Sequence, residues 1–233
     1  MGHSIAVMNA KGGVGKSTVV MGLAETLSAV HKKSVLIIDS DSQTSISIMV
    51  MQMSRWEELE RSKRTLVDYL AQRTLSGIAA DWRAFVAQRV SDVEEAQSVY
   101  LLPSHMELSL FEREISEKRL QSILAATVRG LLDEAERYFD VVLVDCPPGI
   151  SVLTETWLRE CTFYLPPTKA DYLSVRGLAI IDRYRSLMPE GGFAQCLGVL
   201  VNQKDGRIRA EDEWHQWLLR EPRNACFTTA IPR

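Results

Sequence analysis

The stretch that most constrains this chain is residues 11–18, KGGVGKST. Before it, Ile5-Ala6-Val7-Met8 reads as a short buried strand. After it, residues 19–29 (VVMGLAETLSA) read as a helix. A glycine-rich turn between strand and helix leaves backbone N–H groups unpaired and aimed at one spot, and the helix start adds partial positive charge there. Such a place suits a phosphate group. The phosphate-loop pattern G-x-x-x-x-G-K-[ST] is met at every fixed position but the first, where Ala10 replaces the glycine and Lys11 follows. The loop therefore opens with a second lysine. The bland alternative, a glycine-rich turn with surface lysines, leaves the strand and the helix unexplained.

KGGVGKST resembles the signature of the deviant Walker A ATPases, the ParA/MinD family, and is closest to its ParA-like partition and positioning members. The resemblance implies an α/β fold with a doubly wound, mostly parallel sheet flanked by helices. It implies ATP and Mg²⁺ as cofactors. Residues 12–18 (Gly12, Gly13, Val14, Gly15, Lys16, Ser17 and Thr18) would cradle the phosphates. By the same resemblance Lys16 serves the β- and γ-phosphates of its own nucleotide. Lys11 reaches across a dimer to the partner's nucleotide, and the Ser17 hydroxyl ligates Mg²⁺.

Composition narrows the class. A chain of 233 residues with 46% hydrophobic residues can bury a full core, and this content excludes wholesale disorder. A formal charge of −3 argues against a generally basic nucleic-acid binder, while a local basic patch stays open. Cys146, Cys161, Cys196 and Cys226 are far apart and form no C-x-x-C pair, so they read as small apolar residues in a reducing compartment. The first residues already form a strand, so no signal peptide is expected. No apolar run approaches the roughly 20 residues of a membrane-spanning helix. The expectation is a single nucleotide-binding α/β domain over residues 1–233, in the cytoplasm.

Two further loops carry chemistry. Residues 34–39 (SVLIID) complete a β-α-β unit and deliver Asp39 to a strand end, followed by Ser40-Asp41-Ser42-Gln43. This resembles the family's D-x-D-P-Q switch with Ser42 in place of proline. The resemblance makes Asp41 the carboxylate that positions the attacking water and puts Asp39 in the Mg²⁺ shell. Residues 139–149 (FDVVLVDCPPG) deliver Asp145 to the end of a second buried strand, a Walker B arrangement with a carboxylate near Mg²⁺, usually through water. Cys146 in this loop reads as a passive small residue, with redox control as the alternative.

The remaining segments are less specific. Residues 44–54 (TSISIMVMQMS) read as a core or subunit-contact helix, or as an adaptable partner surface. Residues 56–97 read as two or three amphipathic helices with Leu66, Tyr69 and Leu70 on one face. Residues 98–104 read as a strand and residues 116–137 as a sheet-covering helix. Residues 163–168 form a fifth strand, a helix runs from Asp171 to about Leu187, and residues 198–202 form a sixth strand. By resemblance Asn202 and Pro232 contact the nucleotide. Asn202-Gln203-Lys204-Asp205 partly matches the N-K-x-D that reads guanine, with its lysine one place late, so adenine is the expected base.

Family members normally continue past the segment that resembles residues 226–233, so a C-terminal helix or helices usual in the family are expected to be missing. The resemblance implies an ATP-dependent sandwich homodimer, slow hydrolysis stimulated by an adaptor protein, and nonspecific DNA binding that positions DNA or another cargo on the nucleoid. Lys204, Arg207, Arg209, Arg220 and Arg223 are the DNA candidates; a solvated mixed-charge face is the other reading, because Glu211, Asp212 and Glu213 interrupt them. A MinD-like membrane ATPase for division-site placement is the alternative, though no membrane anchor is visible. A metallocluster carrier of the same superfamily is weaker still, for want of paired cysteines.

Overall fold

A computed structural model describes residues 1–189, 192–221 and 225–233. The sheet begins with β1 (His3–Val7), which leads through the glycine-rich loop into α1 (Lys16–Ala29) and then β2 (Val35–Asp39). Residues 44–54 do not form one helix. They form α2 (Ser45–Val50), break at the extended Met51 and Gln52, and resume as α3 (Met53–Arg61). The methionine-rich stretch is also two-faced. Ile46, Val50 and Met51 are buried, whereas Ile48, Met49 and Met53 are exposed.

After α3 come α4 (Leu66–Thr74), a single 3₁₀ turn at Trp82–Phe85, and the two-residue edge strand β3 (Ala87–Gln88). The middle region is thus only partly helical. Leu66, Tyr69 and Leu70 are buried together, as their spacing predicts. The chain continues through β4 (Val99–Leu102), α5 (Leu108–Glu114), α6 (Lys118–Tyr138) and β5 (Val141–Asp145) to α7 (Val152–Glu160). The expected fifth strand is split at Pro166 into β6 (Phe163–Leu165) and β7 (Pro167–Thr168). Proline lacks the N–H a continuous ladder needs. Then follow α8 (Tyr172–Ser186), β8 (Gln195–Cys196), β9 (Leu200–Val201) and α9 (Arg209–Arg220). The sequence reading did not anticipate α5, α7 or α9.

The main sheet runs β3-β4-β2-β5-β1-β6-β8, and β7 pairs with β9 beside it. All pairs are parallel except β3 with β4. Strands β2 and β5 are buried on both faces, which is why they read as unbroken apolar runs rather than as alternations. Alternate residues still part company. Leu36, Ile38, Val142 and Val144 join the core under α4 to α7, while Val35, Ile37 and Leu143 join the core under α1 and α2.

One consequence of the register sets up everything that follows. Val7 pairs with Asp145, and Asp145 with Asp39, so three central strands end in one row. The loop after Val7 rises from the same edge, at the carboxyl ends of the strands where such sheets bind ligands.

Candidate nucleotide site

The loop owes its shape to two glycines. Gly13 and Gly15 have φ of +72° and +85°, values a side chain resists, and Gly15 is the residue from which α1 starts. A Cβ on Gly15 would lie 2.3 Å from the Asn202 amide nitrogen. The first turn of α1 carries no acidic residue and Gly15 offers no side-chain cap, so the helix's leading N–H groups have no anion of their own.

Around that loop the structure gathers Lys16, Asp39, Asp41 and Asp145. Lys16 is buried, and burial pushes its ammonium below the ordinary lysine range, a drop that the charges of Asp145 and Asp41 oppose. Asp145 is fully buried, and burial raises its carboxyl to about 7 against the pull of Ser17 and Lys16. Ser17 lies near enough to act on this charge, yet neither Asp145 oxygen has a well-formed hydrogen bond. Asp39 is raised to about 8, first by burial and then by the neighbouring Asp145. Its oxygens are satisfied: Oδ1 accepts from the Asp41 N–H at 3.1 Å, and Oδ2 accepts from the Ser47 N–H at 3.0 Å and the Ser47 hydroxyl at 2.6 Å.

Two buried carboxylates side by side, one with neither oxygen in a well-formed hydrogen bond beside a serine hydroxyl, carry more negative charge than the buried Lys16 ammonium near them offsets. Hard oxygen donors of this kind fit a small divalent cation. Asp39 is the supporting member, because its oxygens are already engaged in holding the loop 39–43. Asp41 is nearly buried, and its Oδ1 accepts from the Gln43 N–H at 2.9 Å.

The two lysines of the loop differ. Lys11 is about one-third exposed, and its Nζ lies 3.6 Å from Asp171 Oδ1, at the start of α8. The loop beneath it is anchored by Asn9, which the sequence reading missed. Asn9 Oδ1 accepts from the Lys11 N–H at 2.9 Å, and its Nδ2 donates to the Pro167 carbonyl at 2.8 Å. Gly177 on α8 makes room for this clamp, since a Cβ there would lie 2.3 Å from Asn9 Oδ1. A buried asparagine just ahead of a phosphate loop was the available signal.

Asn202 is brought to the back of the loop, where its Nδ2 donates to the Val14 carbonyl at 2.9 Å. Pro232 stands two residues beyond Ala230 on an exposed edge that pairs with Lys204. The DNA candidates gather differently from the way their sequence order implies. Lys204 pairs with Asp212 at 2.5 Å, Arg207 with Asp205 at 2.7 Å and Arg209 with Glu213 at 3.0 Å. Arg220 is exposed at the end of α9, and Arg223 lies outside the described residues. Cys146 and Cys161 are buried, but Cys196 and Cys226 are only half-buried, so the apolar reading holds for two of the four.

A family model described as an AAA domain matches residues 2–188, four-fifths of the chain, including the phosphate loop, Asp39, Asp41 and Asp145 but not Asn202. The chain belongs to that family. The family match and the partition ATPases among the chain's relatives together support a ParA/MinD-like ATPase. The chain is 28% identical over 234 residues to the chromosome-partitioning ATPase Soj of Thermus thermophilus, covering 98% of this chain and 80% of that protein. Among solved structures, it resembles cobyrinic acid a,c-diamide synthase of Mycobacterium smegmatis with a bound ATP analog and magnesium. There the TM-score is 0.80, the identity 22%, and the match covers 100% of this chain and 88% of that one. It also resembles a plasmid partition protein of Borrelia burgdorferi bound to AMPPNP, with TM-score 0.73, identity 21%, and coverage of 96% and 83%. The fold of this AAA-domain member is therefore the one its phosphate loop predicts: a mostly parallel sheet flanked by helices.

Proposed function

We propose that this chain is a ParA-like ATPase whose ATP-bound form pairs face to face with a second copy, associates with nonspecific DNA, and positions DNA or another cellular cargo. The observation that carries this reading is the contrast between the two loop lysines. Lys16 is buried against Asp145 and Asp41, whereas Lys11 is partly exposed and its ammonium lies 3.6 Å from Asp171 at the surface. A cation presented outward from a phosphate loop is free to serve a nucleotide on another copy.

In this reading the loop amides of residues 12–18 and Lys16 bind and orient the phosphates. Ser17 and Asp145, backed by Asp39, hold Mg²⁺, which when bound neutralises charge on the phosphate oxygens. Asp41 orients the water that attacks the γ-phosphate. Lys11 adds positive charge from the partner, stabilising both the pair and the charge that builds up during transfer. Asn202 braces the loop from behind and lies at the base end, with Pro232 nearby. Turnover then separates the copies, and an adaptor protein sets its pace. The names of the Soj and plasmid-partition relatives support the partition role.

DNA association is the less supported part, since three of the candidate cations already have carboxylate partners. If the dimer does bind DNA, affinity falls with salt at a log–log slope of about −0.9 per phosphate contact. Among the described residues no helix is long and apolar enough to cross a membrane.

The test is sedimentation velocity with and without ATP and Mg²⁺. The parent is expected to shift from monomer to dimer with ATP, and Lys11→Ala to bind ATP yet stay monomeric. A Lys11→Ala protein that dimerises and turns over like the parent contradicts the role in trans.

A further inference from the structure

The loop 39–43 contains neither proline nor glycine, so its backbone is shaped by what holds its side chains and carbonyls. One set of holds is local to its own side of the sheet. Asp39 gathers the Asp41 and Ser47 N–H groups, and Ser104, just beyond β4, donates its hydroxyl to the Asp41 carbonyl at 2.7 Å. Ser104 is itself located by its own N–H, which donates to Ser47 Oγ at 3.0 Å.

The other hold comes from across the molecule. Trp157 on α7 is fully buried, and its indole Nε1 donates to Ser40 Oγ at 2.7 Å, 117 residues away in sequence. Ser40 is buried too, and its own N–H donates to the Asp145 carbonyl at 2.9 Å. A tryptophan this deep must find an acceptor for its N–H, and it finds one in the residue between Asp39 and Asp41. Helix α7 begins directly after the loop 146–150 that leads from Asp145, capped by Ser151, whose Oγ accepts from the Thr154 N–H at 3.2 Å. The indole is therefore a short cross-brace between the helix that follows one carboxylate loop and the middle of the other.

We propose that Trp157 is a positioning residue for Asp41, acting through Ser40, and that it couples the loop 39–43 to the loop that follows Asp145. This rests on the reading of Asp41 as the residue that orients water. A shift of the Asp145 loop carries α7 with it and pulls on Ser40. Asp41 then moves without any contact to the nucleotide being lost.

Trp157→Phe keeps an aromatic ring in the core and deletes the N–H, and Ser40→Ala removes the acceptor with little change in packing. Each is expected to lower kcat for ATP about three- to tenfold while leaving KM and ATP affinity at parental values. Ser40→Thr, which keeps the hydroxyl, restores the rate. The double variant loses no more than either single one, because both delete the same bond. A role in packing alone predicts otherwise: Trp157→Phe then lowers the melting temperature, and Ser40→Ala does nothing to kcat.

The bond can also be read without hydrolysis. In ¹⁵N–¹H spectra the indole signal absent from Trp157→Phe is expected to move in Ser40→Ala, and to move when ATP and Mg²⁺ are added to Asp41→Ala protein. Should Asp41→Ala hydrolyse ATP normally while the indole signal still follows Ser40 and nucleotide, the assignment of Asp41 fails and the cross-brace survives. Parental kcat in both Trp157→Phe and Ser40→Ala, or an indole signal indifferent to Ser40→Ala, overturns the proposal.

Discussion

At the ends of β2 and β5, Asp39 and Asp145 are fully buried, and among the described residues neither oxygen of Asp145 has a well-formed hydrogen bond. Beside and along α9, Lys204, Arg207 and Arg209 each lie against a carboxylate of their own chain, two of them far out in solvent. Both regions are rich in charge, and by sequence both were candidates for binding polyanions. They differ in whether the fold has already answered the charge. An unanswered buried carboxylate is costly to keep, and folding does not produce it unless something that binds later compensates. A surface cation held within 3.0 Å of a carboxylate of its own chain is already compensated by that partner and by water. The comparison assigns ligand chemistry to the strand ends and a solvated face to α9.

The largest effect expected from breaking the first region comes at Lys16. Lys16→Ala removes the buried cation that faces Asp145 and Asp41, and ATP affinity should fall by about a hundredfold or more, as measured by calorimetry. Parental affinity would mean that the buried cluster is structural. Next comes Asp41→Ala, which should bind ATP and Mg²⁺ normally while phosphate release falls by about a hundredfold. Retained turnover would shift the water-orienting role to another group. The smallest effect belongs to the second region. Arg207→Glu with Arg209→Glu should leave melting temperature and ATP turnover at parental values, and any ATP-dependent DNA association of the parent should largely persist. Loss of DNA association in that variant would break the comparison, because cations in internal pairs would then be the binding surface.

What could be read from the sequence follows from how local each feature is. The phosphate loop, Asp39 and Asp145 were legible because each lies at the end of a short apolar run that must be a buried strand. The parallel register then brings those ends together in one row. The break at Pro166 was legible in principle, since a proline pair rarely continues a ladder, yet the strand was read through it. Three features needed the fold. The Asp171 partner of Lys11, the Asn9 clamp on Pro167 and the Trp157 bond to Ser40 join residues more than a hundred positions apart, and no periodicity announces such pairs. The charges near α9 lay in between. The interleaved Glu211, Asp212 and Glu213 warned of a mixed face, but only the helix itself sets Arg209 four residues before Glu213 on one side. Burial of Cys146 and Cys161 but not of Cys196 and Cys226 likewise depended on tertiary packing that no local pattern announces.

The central claim is that Asp145 is left without a partner because its partner is the metal that comes with the nucleotide. Asp145→Asn puts this to the test in one preparation, because the amide keeps the shape and removes the charge. Without nucleotide the variant should melt higher than the parent. Its advantage should grow as pH rises from about 4 to about 7 and level off above that, because over this range the parent's carboxyl holds its proton in the folded state and has lost it in the unfolded chain. The decisive measurement is ATP binding by titration calorimetry with Mg²⁺ and with EDTA. The parent should bind ATP at least about tenfold more tightly with Mg²⁺, and Asp145→Asn should show the same affinity in both buffers. An Asp145→Asn protein that keeps the parent's full dependence on Mg²⁺ would contradict the account.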